Sequence, residues 1–265
     1  MRIDCEVHAF RRETRCAAPV IDGSLQELEG AARDCAVTGL VLVQPAFLND
    51  DPTELFAQAS EATMPVRLIP PLVQPLASEV LEAWGRSGAA GLAVSLDNPD
   101  PLAESFKAAL QLGLHLEVSG GIDGREHLAE LLLADGHRLV FRGFGLADCV
   151  RDPAWDQRLE RLLALAKGAE VWVKMSGIAR VPDGWDRAAA RKMLEALGPE
   201  QLLFGSEWPH MTAAHAYVPS YAQTIAWFET LVPDEHARGR MLGETAAALY
   251  DFRNQDPVYV RKIAE

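Results

Sequence analysis

Titratable side chains alternate with apolar ones along several short hydrophobic runs in this chain. Ile3-Asp4-Cys5-Glu6-Val7-His8 carries Asp4, Glu6 and His8 at every second position, a spacing that sets all of them on one face of a strand. The same period places His115, Glu117 and Ser119 against Leu116 and Val118, pointing them into one mouth, and Trp172, Lys174 and Ser176 against Val173 and Met175. The run Leu202-Leu203-Phe204 ends on Gly205-Ser206-Glu207-Trp208-Pro209-His210, and Gln44 closes another. A single polar strand end is ordinary. Several converging ones are not explained by packing, because each buried polar group costs free energy unless it is paired. Such a mixed set suits a small polar anion. Gln44 suits the anchoring of a carbonyl or carboxylate oxygen. Lys174 itself needs a carboxylate partner, for which Glu117 and Glu207 are the candidates.

The elements that must position these groups are legible as β-type runs beginning near Arg2, Gly39, Val66, Gly91, Leu114, Arg138, Glu170 and Gln201. Helical apolar spacing lies between them, as in Ser24 to Ala36, Asp51 to Ala62, Pro101 to Leu112, Arg125 to Ala134, Pro153 to Ala166 and Asp186 to Leu197. Asp51-Pro52 and Asp100-Pro101 set an N-cap candidate before a proline, and Gly113, Gly136, Gly168 and Gly198 stand where helices should stop. Two more helices, Tyr221 to Leu231 and Glu235 to Tyr250, close the chain. Strict alternation implies a parallel sheet, and eight units favour a single (β/α)8 TIM barrel with extra C-terminal helices over an open doubly wound sheet. No GxGxxG or GxxxxGK phosphate loop is present. Residues 1–253 would form the barrel domain and 254–265 a polar tail. Barrel enzymes keep their chemistry at the C-terminal ends of the strands, so the long Ala9 to Gly23 connection would roof the site.

The totals exclude other classes. With 265 residues, 49% of them hydrophobic, the chain can bury one full core. A formal charge of −13 argues against nucleic acid or an anionic membrane surface as partner. No apolar run reaches a membrane span and the N-terminus lacks a signal-peptide core, so a cytoplasmic location is expected. Cys5, Cys16, Cys35 and Cys149 have neither CxxC spacing nor disulfide-like density and are expected as reduced, mostly buried thiols. The expected partner is a small anionic molecule; a homo-oligomer is left open.

Ile3-Asp4-x-Glu6-x-His8, Val41-Leu42-Val43-Gln44-Pro45, Leu112-Gly113-Leu114-His115-Leu116-Glu117, Val171 to Arg180 and Leu203 to His210 run through almost the whole chain in one order. In these pieces it resembles the amidohydrolase-related family of TIM-barrel hydrolases, in the branch containing 2-pyrone-4,6-dicarboxylate hydrolase and sugar lactonases. The departures from that pattern are as informative. Strand one of the family reads Asp-x-His-x-His, and Glu6 stands in place of the first histidine. Strand six usually ends in Asp-His-Leu-Gly, whereas this chain has Phe141-Arg142-Gly143-Phe144-Gly145, which puts Gly143 or, with a one-residue slip, Arg142 at the histidine position. The eighth-strand aspartate is Glu207, and alanines occupy strand-four positions that often hold substrate-binding arginines.

The resemblance implies hydrolysis of a small carboxylated lactone or pyrone-type carbonyl ester, independent of metal as in the dicarboxylate hydrolase branch, with no cofactor expected. On that resemblance catalysis falls to Glu207, which would take a proton from the attacking water, and to His8, which with His115 or Lys174 would polarise the carbonyl and stabilise the oxyanion; Gln44, Arg180 and one of Arg11, Arg12 and Arg15 would hold the substrate carboxylate, with Glu6, Ser176, Arg142, Trp208 and His210 completing the substrate-binding set. Trp172, Trp208 and Phe47 form a candidate aromatic wall. The metal chemistry of the broader superfamily would have to rest on Glu6, His8 and Glu207, a carboxylate-rich set suited only to a weakly bound divalent ion. Two alternatives remain: a catalytically inactive family member binding a small anion or a protein partner, and a metal-dependent hydrolase or decarboxylase of the same superfamily.

Overall fold

The structure, a computed structural model, describes residues 1–11, 23–48, 50–97, 99–145, 154–178, 184–210 and 218–252. Arg12, Arg15, Cys16, Cys149, Arg180 and the 254–265 tail lie outside these residues. The strands are β1 (Ile3–Val7), β2 (Gly39–Val43), β3 (Val66–Ile69), β4 (Gly91–Ser95), β5 (His115–Ser119), β6 (Leu139–Phe141), β7 (Val171–Met175) and β8 (Leu202–Phe204), each within a residue of where its apolar run begins. All pair in parallel, in the orders β1-β2-β3 and β4-β5-β6-β7-β8. Bridges Leu68–Ala89 and Pro71–Ala93 join the two sheets on one side and Val7–Trp208 joins them on the other, which closes the barrel.

The helices are α1 (Leu25–Asp34), α2 (Thr53–Glu61), α3 (Ser78–Arg86), α4 (Ala103–Gln111), α5 (Glu126–Ala134), α6 (Trp155–Ala166), α7 (Trp185–Leu197), α8 (Tyr221–Leu231), α9 (Glu235–Gly239) and α10 (Ala246–Leu249). Asp51 accepts from the Thr53 N–H at 2.9 Å, so it supports the start of α2 although Pro52 occupies the cap position. Ser220 caps α8 in a reciprocal box with Gln223. Where one helix from Glu235 to Tyr250 was expected, a π segment, Arg240–Thr245, separates α9 from α10. Among the described residues no helix is long and apolar enough to cross a membrane.

Two apolar layers result. Leu40, Leu42, Leu68, Leu116, Val118, Val173 and Phe204 face the surrounding helices, while Ile3, Cys5, Val41, Val43, Ile69, Val140 and Leu203 fill the barrel and meet Leu249 at the end of α10 and Tyr250 and Phe252 just after it. The C-terminal helices thus supply side chains to the barrel interior. Cys5 is a buried free thiol, pushed well up by burial, and Cys35 is half-buried and free.

One irregularity re-aims the site. Asp4 pairs with Leu40 but Val7 pairs with Leu42, so β1 holds one residue more than β2 across this interval. Such a bulge shifts the inward–outward alternation by one. Asp4, expected on one face with Glu6 and His8, therefore points outward, where it accepts from Tyr221 Oη of α8 at 2.8 Å and from the backbone N–H of Ser206 and Glu6. Glu6 and His8 turn inward.

Candidate active site

Glu6 is fully buried at the upper end of β1. Its Oε1 accepts from Arg142, which follows β6, through Nε and a terminal nitrogen, each at 2.5 Å. Its Oε2 lies 2.9 Å from Ser176 Oγ, just past β7. Burial opposes ionisation of Glu6, yet Arg142 and then Lys174 outweigh it and hold the carboxyl below the usual range. The same balance runs the other way in Arg142. Burial disfavours its charge, but Glu6, Glu117 and Glu207 raise its proton affinity. The Arg142 side chain retains 22% exposure, so unlike Glu6 it is not sealed from solvent.

Ser176 sits between two carboxylates. Its Oγ is 2.9 Å from Glu6 Oε2 and 3.0 Å from Glu207 Oε1, and it accepts the Gly143 N–H at 3.1 Å. One hydroxyl has one proton, so it donates to only one of the two glutamates at a time. The third contact is a hydrogen bond only when a carboxyl carries a proton of its own. Close approach here requires Gly205: a Cβ at that position would lie 2.6 Å from Glu6 Cβ.

Glu207, half-buried, has φ 58°, and His210 has φ 60°, both in the left-handed region that non-glycine residues rarely adopt. The surroundings over-determine this turn. Glu207 N–H donates to Glu6 O at 2.8 Å, His8 N–H to Trp208 O at 2.9 Å, and Trp208 N–H to Ser206 Oγ at 3.1 Å. The β8 end is therefore held against β1, which sets Glu207 beside Ser176.

His8 Nδ1 lies 2.8 Å from the Val43 carbonyl oxygen, which only accepts, so Nδ1 carries the hydrogen. Burial first and then Arg142 push its pKa down from 6.5 to about 4. The ring is neutral at pH 7 and its Nε2 carries a lone pair. The strand-end pattern points to His8 as a donor to a carbonyl; the tautomer makes it an acceptor instead.

Lys174 and His115, expected at the mouth, lie below it in a sealed cluster. Lys174 Nζ donates to Glu117 Oε2 at 2.6 Å, Tyr250 Oη to Glu117 Oε1 at 2.7 Å, and His115 Nε2 is 3.4 Å from Glu117 Oε1. All three titratable partners are fully buried, and His115 is the first residue of β5, opposite Gly91 at the start of β4. Burial raises Glu117, but Lys174 and then the His115 hydrogen bond outweigh it and bring the carboxyl to about 2. Of the two carboxylates proposed for Lys174, Glu117 is the partner.

The remaining expected residues are spread out. Gln44 donates to the Asp51 carbonyl at 2.9 Å, and His210 Nε2 lies 3.3 Å from Thr224 Oγ1 of α8. Arg11 pairs with Glu61 and its N–H donates to Glu54, both on α2, so it is anchored to the barrel wall. Trp172 donates to the Glu200 carbonyl at 3.0 Å, near the N-terminal ends of the strands, and Phe47 packs edge-on against Phe10, so no wall joins them to Trp208. Tyr250 is the participant that sequence reasoning missed; its place at the end of a helical pattern was the available signal.

The donor set does not fit a divalent metal. Among the described residues no group of three or more His, Cys, Asp or Glu converges on one point. Glu6 already meets Arg142 and Ser176, and an arginine cannot shed its proton to relieve the repulsion of a second cation.

The chain is 28% identical over 220 residues to D-galactarolactone isomerase of Agrobacterium fabrum, covering 76% of this chain and 71% of that one. A candidate 2-pyrone-4,6-dicarboxylic acid hydrolase of Pseudomonas putida superposes with a TM-score of 0.84 at 27% identity, covering 96% of this chain and 98% of that one. A protein of the same designation from Acinetobacter baumannii, solved with citric acid bound, gives 0.84 at 20% identity over 95% and 99% of the two chains. With residues 3–252 matching the family pattern, this chain belongs to the amidohydrolase family of enzymes.

Proposed function

We propose that the protein hydrolyses a small carboxylated lactone or pyrone-type ester, with Glu207 as the base and no metal. The observation that carries this reading is the juxtaposition at the mouth of a half-buried carboxylate, Glu207, a partly exposed arginine, Arg142, whose charge acts on both Glu207 and His8, and a neutral imidazole lone pair on His8. Glu207 takes the proton of an attacking water, which His8 Nε2 orients as an acceptor. Arg142, preset by Glu6, faces either the substrate carboxylate or the developing oxyanion. Lys174 and His115 act from below through the field of their cluster. The lactone named for the Agrobacterium relative and the dicarboxylate named for the Pseudomonas one support a carboxylated cyclic ester as substrate class.

The relative named as an isomerase favours a second reading, in which a substrate hydroxyl replaces water as the nucleophile and the same base takes its proton. Turnover of a panel of carboxylated lactones and pyrones in chelator and ¹⁸O-water separates them. Hydrolysis places the label in the product carboxylate; isomerisation does not. Glu207→Gln should lower kcat/KM by on the order of 100- to 10,000-fold. Unchanged activity in that variant would sink the assignment of the base. A folded protein that turns over no member of the panel but is stabilised by carboxylates would instead fit an inactive anion-binding relative.

A further inference from the structure

We infer that the protein has a second anion site at the N-terminal ends of its strands, where Arg67 and Arg138 take the carboxylate of a small organic acid whose apolar body rests on leucine side chains. A cavity of about 560 Å³ lies there, lined in part by Arg67, Arg86, Arg138, Leu112, Leu114 and Tyr250. Arg67 is the second residue of β3, and Leu114 and Arg138 stand immediately before β5 and β6. The cavity is therefore on the face of the barrel opposite the mouth. Ala89, bridged to Leu68 across the seam between the two sheets, also lines it.

The charges around this cavity do not cancel. Three arginines line it against two carboxylates, Glu82 and Asp251. Arg86 is matched by Glu82 on α3 at 2.7 Å. Arg67 donates to the carbonyl oxygens of Tyr250 and Asp251, while the Asp251 carboxylate stays 3.8 Å away. Arg138 donates to the Gly113 carbonyl and has no carboxylate partner among the described residues. Carbonyl oxygens satisfy part of each guanidinium without neutralising it. Burial, opposed only by Asp251, lowers the proton affinity of Arg67, so a ligand carboxylate would supply the charge that the chain withholds. Leu112, Leu114 and Leu249 give the cavity an apolar wall, and its volume is that of a small-molecule pocket. Tyr250 lines the cavity and donates to Glu117, so the ligand lies against the residue that closes the sealed cluster.

The inference is independent of the reaction at the mouth, and its test keeps the two sites apart. Hexanoate is titrated calorimetrically into full-length Arg142→Gln and Arg142→Gln/Arg138→Gln, with folding followed by circular dichroism and inorganic phosphate as the anion without an apolar body. Hexanoate should still bind Arg142→Gln and should bind the double variant on the order of 10- to 100-fold more weakly. Phosphate should bind Arg142→Gln more weakly than hexanoate does. If the double variant does not fold, Gly85→Leu in the Arg142→Gln background takes its place. Gly85 lines the cavity one turn from Leu81 on α3, and an added Cβ meets nothing within 4 Å, so this change narrows the cavity and favours the helix. It too should weaken hexanoate. Absence of hexanoate binding to Arg142→Gln overturns the inference, as does binding unchanged in the folded second variant or phosphate binding as tight as that of hexanoate.

Discussion

Glu6 and Glu117 are both fully buried glutamates, each held by a cation at hydrogen-bonding distance, yet they belong to different kinds of cluster. Glu117 is closed off. Lys174, Tyr250 and His115 surround its two oxygens, and none of the titratable partners reaches solvent. Around Glu6 the cation is partly exposed, a second carboxylate stands across Ser176, and one hydroxyl proton serves two acceptors. A satisfied network rigidifies; a partly satisfied one at a barrel mouth has capacity left for a ligand. The lower cluster therefore supports the barrel, and the upper one is where the proposed reaction would meet its substrate.

Breaking the lower cluster should have the largest effect on stability. Lys174→Met leaves Glu117 charged and buried, and a loss of about 3–5 kcal/mol is expected in urea unfolding. Arg142→Gln retains a donor beside Glu6 at a site open to water and should lose less, about 1–3 kcal/mol. Equal losses would erase the distinction between sealed and open clusters.

Acid should dismantle the clusters in order. His8 is lowered from 6.5 to about 4, so its contribution is complete above 6.5 and is lost as pH falls toward 4. Glu117 is lowered from 4.5 to about 2, and its contribution is complete above 4.5 and lost as pH falls toward 2. Each contributes about 3 kcal/mol, because a tenfold change in proton affinity corresponds to about 1.4 kcal/mol. Asp4 has the opposite sign. Burial, opposed by hydrogen bonds from Ser206, Glu6 and Tyr221, raises it from 3.8 to about 6, so its contribution is complete below 3.8 and disappears as pH rises through 6. Because His8 raises stability over the same range, the Asp4 contribution is read as a difference: the native unfolding free energy minus that of Asp4→Asn should decline between pH 4 and 6.

Ser176→Ala is the mildest of these changes. It removes the acceptor of the Gly143 N–H and the hydroxyl between the two glutamates, at about 1–2 kcal/mol in the same unfolding assay.

Much of this architecture was legible because apolar runs bounded by glycine and polar clusters leave few alternatives to a β-α repeat. The upper site was legible in kind: Glu6, His8, Ser176 and Glu207 were singled out by their places at strand ends, and the structure brings them together. Its connections were not. An extra residue in β1 inverts the facing of Asp4, and no hydrophobic period announces a bulge that the β2 pairing creates. The alternation in β5 and β7 correctly turned His115, Glu117 and Lys174 inward but carries no information about height, so a sealed cluster and an open mouth looked alike. The His8 tautomer depends on the Val43 carbonyl of a neighbouring strand. Arg142 entered only through a one-residue ambiguity at β6, where Gly143, Phe144 and Gly145 all adopt positive φ after it.

The division of labour between the clusters is tested most directly by kcat/KM on a carboxylated lactone, in chelator, for Glu207→Gln and Tyr250→Phe side by side. Tyr250→Phe removes one hydrogen bond to Glu117 and should keep kcat/KM within about threefold while lowering stability by about 1 kcal/mol. Glu207→Gln should lose on the order of 100-fold or more with its stability little changed. An equal loss of kcat/KM in both variants, or a loss confined to Tyr250→Phe, would contradict the assignment of chemistry to the mouth.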